Sequence, residues 1–273
     1  MSLPSFYIPS YTADQQEFLL DEDNSRHVIQ VLRMKPGEPL QLTDGRGHLL
    51  EGEIVEAHKK RCLVAVRSVL TSPPSAVNVT IAISPVKNAS RFEWFLEKAT
   101  EIGVSRIVPL LCERTERQSI RTDRLRNILV SAMLQSQQTW LPILPEPMSF
   151  PQLIGQAADT SPVATGGAEA AAGAAGFRLI AHCLEAPRPT TSLAGLVRGQ
   201  SAPAPGLSPA NPNPNPSTGA EPGTLILIGP EGDFTPKEVE TALAAGYLPV
   251  SLGANRLRTE TAGVVAATLL CIK

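Results

Sequence analysis

From residue 77 onward, short apolar runs alternate with stretches in which apolar residues recur every three or four positions. Val77–Ile83 is an apolar run of strand length. Ala89–Ile102 then carries Phe92, Phe95, Leu96, Ala99 and Ile102 at helical spacing, and Gly103 supplies a C-terminal stop. Arg106–Leu111 reads as a second strand. Thr122–Gln137 reads as a helix with Leu125, Ile128, Leu129 and Ala132 on one face. Strand–helix alternation of this kind predicts a parallel sheet with crossover helices. Phe177–Leu184 and Thr224–Ile228 are further buried strands. Thr235-Pro236-Lys237-Glu238 is a capping box with proline at the first helical position, so a helix runs from there to about Ala245, where Gly246 stops it. Tyr247–Leu252 is a last strand. The helix that starts near Thr259 is apolar almost all round, which fits burial in a core or a subunit interface.

Residues 1–70 follow a different rule. Glu38–Thr43 and His48–Ala57 alternate apolar and polar positions on either side of Asp44-Gly45-Arg46-Gly47, a hairpin signal. His58-Lys59-Lys60-Arg61 turns the chain into another strand, Cys62–Val69. Short strands joined by tight turns predict a small barrel. The break at Thr71-Ser72-Pro73-Pro74 divides the chain into a domain over 1–72 and a second over 73–273. Two segments lack any apolar periodicity. Residues 157–176 are mostly Ala and Gly, and residues 199–223 hold seven prolines, so both are expected to be disordered insertions.

Composition narrows the function classes. The net charge of −2 over 273 residues leaves no global footprint for nucleic acid, so any RNA contact has to be local. Residues 112–126 do hold five arginines against three acids. The cysteines Cys62, Cys112, Cys183 and Cys271 are scattered without metal-ligand spacing, which fits reduced thiols and no metal site. Met1–Ser10 has no signal-peptide pattern, and the apolar run Ala262–Ile272 is too short to span a bilayer. A soluble cytoplasmic protein without membrane partners is expected.

The candidate chemistry lies where two late strands run into polar loops. Thr224–Ile228 is followed by Gly229-Pro230-Glu231-Gly232-Asp233-Phe234, in which Gly232 permits close approach of backbone to a ligand. Leu252 is followed by Gly253-Ala254-Asn255-Arg256-Leu257-Arg258 and then a helix start. Loops at the carboxyl ends of parallel strands form ligand pockets. Taken alone, the first loop is equally well an ordinary turn. Arginine at a helix N-terminus opposes the macrodipole, so Arg256 and Arg258 suggest an anionic partner.

Together, the first loop and Leu252-Gly253-Ala254-Asn255-Arg256-Leu257-Arg258-Thr259-Glu260-Thr261-Ala262 resemble the RsmE family, the 16S ribosomal RNA (uracil-N3)-methyltransferases of the SPOUT superfamily. Arg26–Glu38 and Lys87–Gly103 resemble the same family, so the likeness covers nearly the whole chain. It implies an α/β fold with an N-terminal PUA-like β-barrel, a C-terminal trefoil-knotted SPOUT methyltransferase domain, and a homodimer acting on 16S rRNA in the 30S subunit. It also implies S-adenosyl-L-methionine as cofactor. Gly229, Glu231, Gly232, Leu252, Gly253, Leu257 and Thr259 would line its pocket, with Leu184 and Glu185 from a third strand. Arg258 would stabilise the uracil oxygens. Glu260 is a second catalytic candidate, or else a carboxylate suited to a helix N-terminus. Arg26, Arg33, Lys35, Arg46, Arg114 and Arg117 are candidate RNA contacts.

The chain departs from the family in three places. Asn255 stands where an arginine is usual, the helix ending Met133-Leu134-Gln135-Ser136 lacks a customary charge, and the two insertions are unusual. Two other readings stay open: another SPOUT RNA methyltransferase, and a non-catalytic RNA-binding or ribosome-assembly factor. A Rossmann nucleotide enzyme is disfavoured, because no GxGxxG or Walker lysine follows a strand.

Overall fold

The computed structural model describes residues 3–116, 120–159, 176–183, 190–199 and 223–272. The chain forms two compact units, Met1–Pro74 with Leu129–Leu141, and Ser75–Ile128 with Pro142–Lys273.

In the first unit β1 (Ser5–Tyr7), β2 (Glu17–Leu19), β3 (Pro39–Thr43), β4 (His48–Glu56) and β5 (Leu63–Thr71) form one curled sheet in the order β1-β3-β4-β5-β2. Period-2 alternation sends Leu40, Leu42, Leu50, Ile54 and Val64 inward, where they meet Phe6 and Phe18 in the core. The predicted hairpin lies between β3 and β4. The Asp44 carboxylate accepts the Arg46 N–H at 2.8 Å and pairs with His48 Nδ1 at 2.7 Å. Gly47 has φ +95°, and a side chain there would meet the Ser72 carbonyl and the Trp140 ring at 2.6 Å, so only glycine fits.

Helix α1 (Glu22–Arg26), capped by the Asp21 carboxylate, runs into a π-helical turn, His27–Val31. That turn closes with Leu32 N–H on the His27 carbonyl and Met34 N–H on the Val28 carbonyl. The closure puts Arg33 at φ +56°, the left-handed region where glycine is the usual occupant. The alternation pattern had not indicated α1, the π turn, β1 or β2.

The second unit contains β6 (Val79–Ile83), α2 (Ala89–Ile102), β7 (Arg106–Leu111), α3 (Thr122–Gln135), β8 (Met148–Ser149), α4 (Phe150–Asp159), β9 (Arg178–Ala181), β10 (Thr191–Ser192), α5 (Leu193–Val197), β11 (Thr224–Ile228), α6 (Pro236–Ala244), β12 (Leu248–Ser251) and α7 (Thr259–Cys271). Helix α3 contributes its last turns to the first unit. Its expected end at Gln137 moves back to Gln135, because Gln137 takes φ +56°. Strand β9 ends at Ala181, three residues before the expected Leu184.

The seven strands form a sheet in the order β10-β12-β9-β11-β6-β7-β8 with every pair parallel. The central strands read as near-continuous apolar runs because both faces are covered. Asn88 caps α2 by accepting the Ser90 N–H, and Gly103 at φ +97° ends it as predicted.

Helix α7 packs on α2. At their contact a side chain on Gly263 would lie 2.5 Å from the Phe95 ring and 2.8 Å from Ile83, so this glycine sets how closely the helix approaches. Among the described residues, no helix is long and apolar enough to cross a membrane. Of the expected insertions, only 157–159 with Gly176, and Gly199 with Gly223, fall within the described residues.

Candidate active site

Strand order fixes where a pocket forms. Strand β9 lies between β11 and β12, and Ala181 pairs with both Ile228 and Val250, so the carboxyl ends of the three strands lie side by side. The loops that leave them wall a cavity of about 580 Å³. Ile228, Gly229, Pro230, Glu231 and Asp233 form one side, and Val250 to Thr259 with Ala262 the other. His182, Cys183 and Thr190 complete it from β9 and the chain beyond. A cavity of this volume, with apolar walls and a few convergent polar groups, suits a small organic cofactor.

The first loop is held from several directions. Glu231 accepts the Lys87 backbone N–H at 3.2 Å. Arg114 Nη1 donates to the Gly232 carbonyl at 2.7 Å. Asp233, at φ +62°, donates its N–H to the Pro230 carbonyl. Its carboxylate accepts the Phe234 N–H and the Cys183 N–H, each at 2.8 Å. Phe234 is fully buried and packs on Phe150 of α4, so the loop is anchored in the core. A side chain on Gly229 would press on Phe234 at 3.1 Å.

The capping box of α6 is complete. Thr235 and Glu238 exchange bonds, and Glu238 Oε1 also accepts the Glu113 N–H at 2.9 Å. The neighbouring Cys112 thiol is pushed up by burial and by the Glu238 charge.

The second loop is open by comparison. Gly253 to Arg256 and Arg258 are exposed. Among the described residues, the hydrogen bonds of this stretch are local. The Ser251 hydroxyl donates to the Gly253 carbonyl and accepts its N–H, and Ala262 N–H donates to the Arg258 carbonyl. Arg258 is the N-cap of α7 and makes no side-chain cap bond.

Of the residues expected at the cofactor, Gly229, Glu231, Leu252, Gly253, Leu257 and Thr259 line the cavity, together with Arg258. Gly232 is not among the lining residues, and its carbonyl accepts a bond from Arg114 Nη1. Glu260 is also outside the lining. It is nearly buried and pairs with Arg91 Nε of α2 at 3.7 Å. Leu184, Glu185 and Arg117 lie outside the described residues.

Among the expected RNA contacts, Arg114 is committed to the Gly232 carbonyl, and Arg26 pairs with Glu22 and Asp23. Arg33, Lys35 and Arg46 are exposed on the first unit. Sequence reasoning missed His182, Cys183, Thr190 and the role of Asp233. Only Asp233 lay in a quoted motif, and nothing local marked its left-handed backbone.

Comparison with known proteins identifies the family. Residues 73–195 and 206–271 match the family described as RNA methyltransferase domain, and residues 20–67 match RNA methyltransferase PUA domain. Ribosomal RNA small subunit methyltransferase E of Synechocystis is 29% identical over 88% of this chain and 68% of its own length. A crystal structure from Porphyromonas gingivalis, described as a "probable rRNA-methyltransferase", is 38% identical with a TM-score of 0.75 over 98% of both chains. The small subunit methyltransferase E of Neisseria gonorrhoeae, solved with S-adenosyl methionine bound, is 26% identical with a TM-score of 0.73 over 98% of this chain and 96% of that one. With a PUA domain ahead of an RNA methyltransferase domain that spans most of its length, this chain belongs to the RsmE family of RNA methyltransferases.

Proposed function

We propose that the protein methylates N3 of a uridine in 16S ribosomal RNA, using S-adenosyl-L-methionine, on the assembled 30S subunit in the cytoplasm. The observation that carries this reading is the three-loop cavity with Arg258 on its wall. Its residues suit the cofactor. Ile228, Val250, Leu252 and Leu257 supply apolar contact, the loop backbones supply donors and acceptors, and Glu231 supplies negative charge for a cationic ligand. When bound, the cofactor supplies an electrophilic methyl group on a positively charged sulfur.

N3 of uracil becomes nucleophilic when its proton leaves and charge spreads onto O2 and O4. The site therefore has to favour that anion and align it. Arg258 is suited to the first task. A guanidinium stays protonated in proteins, and the N-terminus of α7 adds positive potential at the same point. The contact with Arg91 supports a role for Glu260 in ordering the start of α7.

RNA is held by the barrel, with Arg33, Lys35 and Arg46 as phosphate contacts. Val31, 67% exposed beside Arg33, offers apolar surface to an unstacked base. A homodimer and a trefoil knot follow from the family likeness. The insertion of β12 between β10 and β9, with α7 returning onto α2, supports the knot.

The test is mass spectrometry of nucleosides from 30S subunits incubated with purified protein and cofactor. Gain of 3-methyluridine in 16S rRNA is expected. A gain at ribose or at another base would point to a different SPOUT specificity, and no gain in any nucleoside would remove the enzymatic reading.

A further inference from the structure

We propose that Asp233 is a positioning residue that clips two walls of the cofactor cavity together and so presets its width. The proposal rests on the S-adenosylmethionine reading of the cavity.

Asp233 has φ +62°, a backbone region that glycine enters freely and aspartate tolerates only moderately. If the chain needed only the turn, glycine would serve, as at Gly246 and Gly253. What aspartate adds is two acceptors. Oδ1 takes the N–H of the next residue, Phe234, and Oδ2 takes the N–H of Cys183, 50 positions away in sequence. Cys183 stands two residues beyond the end of β9, past the last strand pairing at Ala181. Strand β9 is also the neighbour of β12, whose loop forms the opposite wall. One carboxylate therefore ties the loop after β11 to the segment leaving β9, the strand that spaces it from the loop after β12.

Two variants separate this role from its rivals. In Asp233→Gly the backbone relaxes and the clip is lost. The melting temperature should change little, because relief of the left-handed backbone offsets the lost hydrogen bonds; the Cys183 amide should exchange at least tenfold faster with deuterium, and S-adenosylmethionine affinity by calorimetry should fall about tenfold. Asp233→Asn keeps its tolerance of the left-handed turn and one acceptor oxygen, so it should lose less of both.

Asp233→Gly with wild-type affinity and a protected Cys183 amide would overturn the clip. So would an Asp233→Asn variant that loses as much affinity as Asp233→Gly while its Cys183 amide exchanges as in wild type, since the carboxylate would then act by charge. Wild-type protein that binds no S-adenosylmethionine would remove the cofactor reading instead, and the exchange measurement alone would then decide the clip.

Discussion

The two loops that face each other across the cavity are built in opposite ways. The Gly229–Thr235 loop is bound by Lys87, Arg114 and Cys183, rooted in the core through Phe234, and followed by a complete capping box. The Leu252–Arg258 loop is largely exposed and makes local bonds among the described residues. Each hydrogen bond of the first loop contributes about 0.5–1.5 kcal/mol net, so the set fixes one conformation. The contrast divides the labour. In the proposed function, the braced wall is the one preformed for the cofactor, and the exposed wall is the one whose arginines meet the RNA.

Substitutions can break this division in order of expected size. Arg258→Ala, on the open wall, should lower the methylation rate about 10²–10³-fold, the loss usual for removing one group that stabilises developing negative charge. Cofactor affinity by calorimetry should change less than threefold. Equal losses of both would place Arg258 in cofactor binding and weaken the contrast. Gly263→Val acts beneath the open wall by forcing α7 away from Phe95 and Ile83. It should cost about 1–3 kcal/mol in urea unfolding, as overpacking does.

Glu238→Ala attacks the preformed wall by removing the capping-box carboxylate and its bond to Glu113. A loss of about 1–2 kcal/mol in the same assay is expected, with a matching fall in cofactor affinity. If affinity holds while stability falls, the first wall does not need its rigidity. The smallest effect belongs to the barrel. Arg33→Gly relieves a left-handed arginine, so stability should hold or rise slightly, while the salt dependence of RNA binding should lose about one unit of slope. An unchanged slope would take Arg33 off the RNA.

The same contrast explains what the sequence made legible. Features set by neighbours a few residues apart were readable: the α2 periodicity with its Gly103 stop, the β3–β4 hairpin around Asp44–Gly47, and the Thr235–Glu238 box. Strands β1 and β2 are three residues each, too short to display a period. The π turn and Arg33 run against local propensity, since glycine is the expected residue at that backbone geometry.

Within the site, Arg258, Leu252 and Glu231 could be placed because the motif is contiguous. The diversion of Gly232 to Arg114, of Glu260 to Arg91 and of Asp233 to Cys183 could not. Each joins residues more than 45 positions apart, and no spacing rule reaches that far.

The cysteines give the cavity an intrinsic reporter. Cys62 and Cys112 are buried, and burial raises their pKa values; it also raises that of Cys271, to about 11. All three are therefore thiols rather than thiolates near neutral pH, and poor nucleophiles. Cys183 alone of the four is exposed, and it stands on the cavity wall. A thiol-reactive dye used near pH 7 on the unaltered chain should therefore label one position, and the rate of labelling should read cofactor occupancy without an engineered probe.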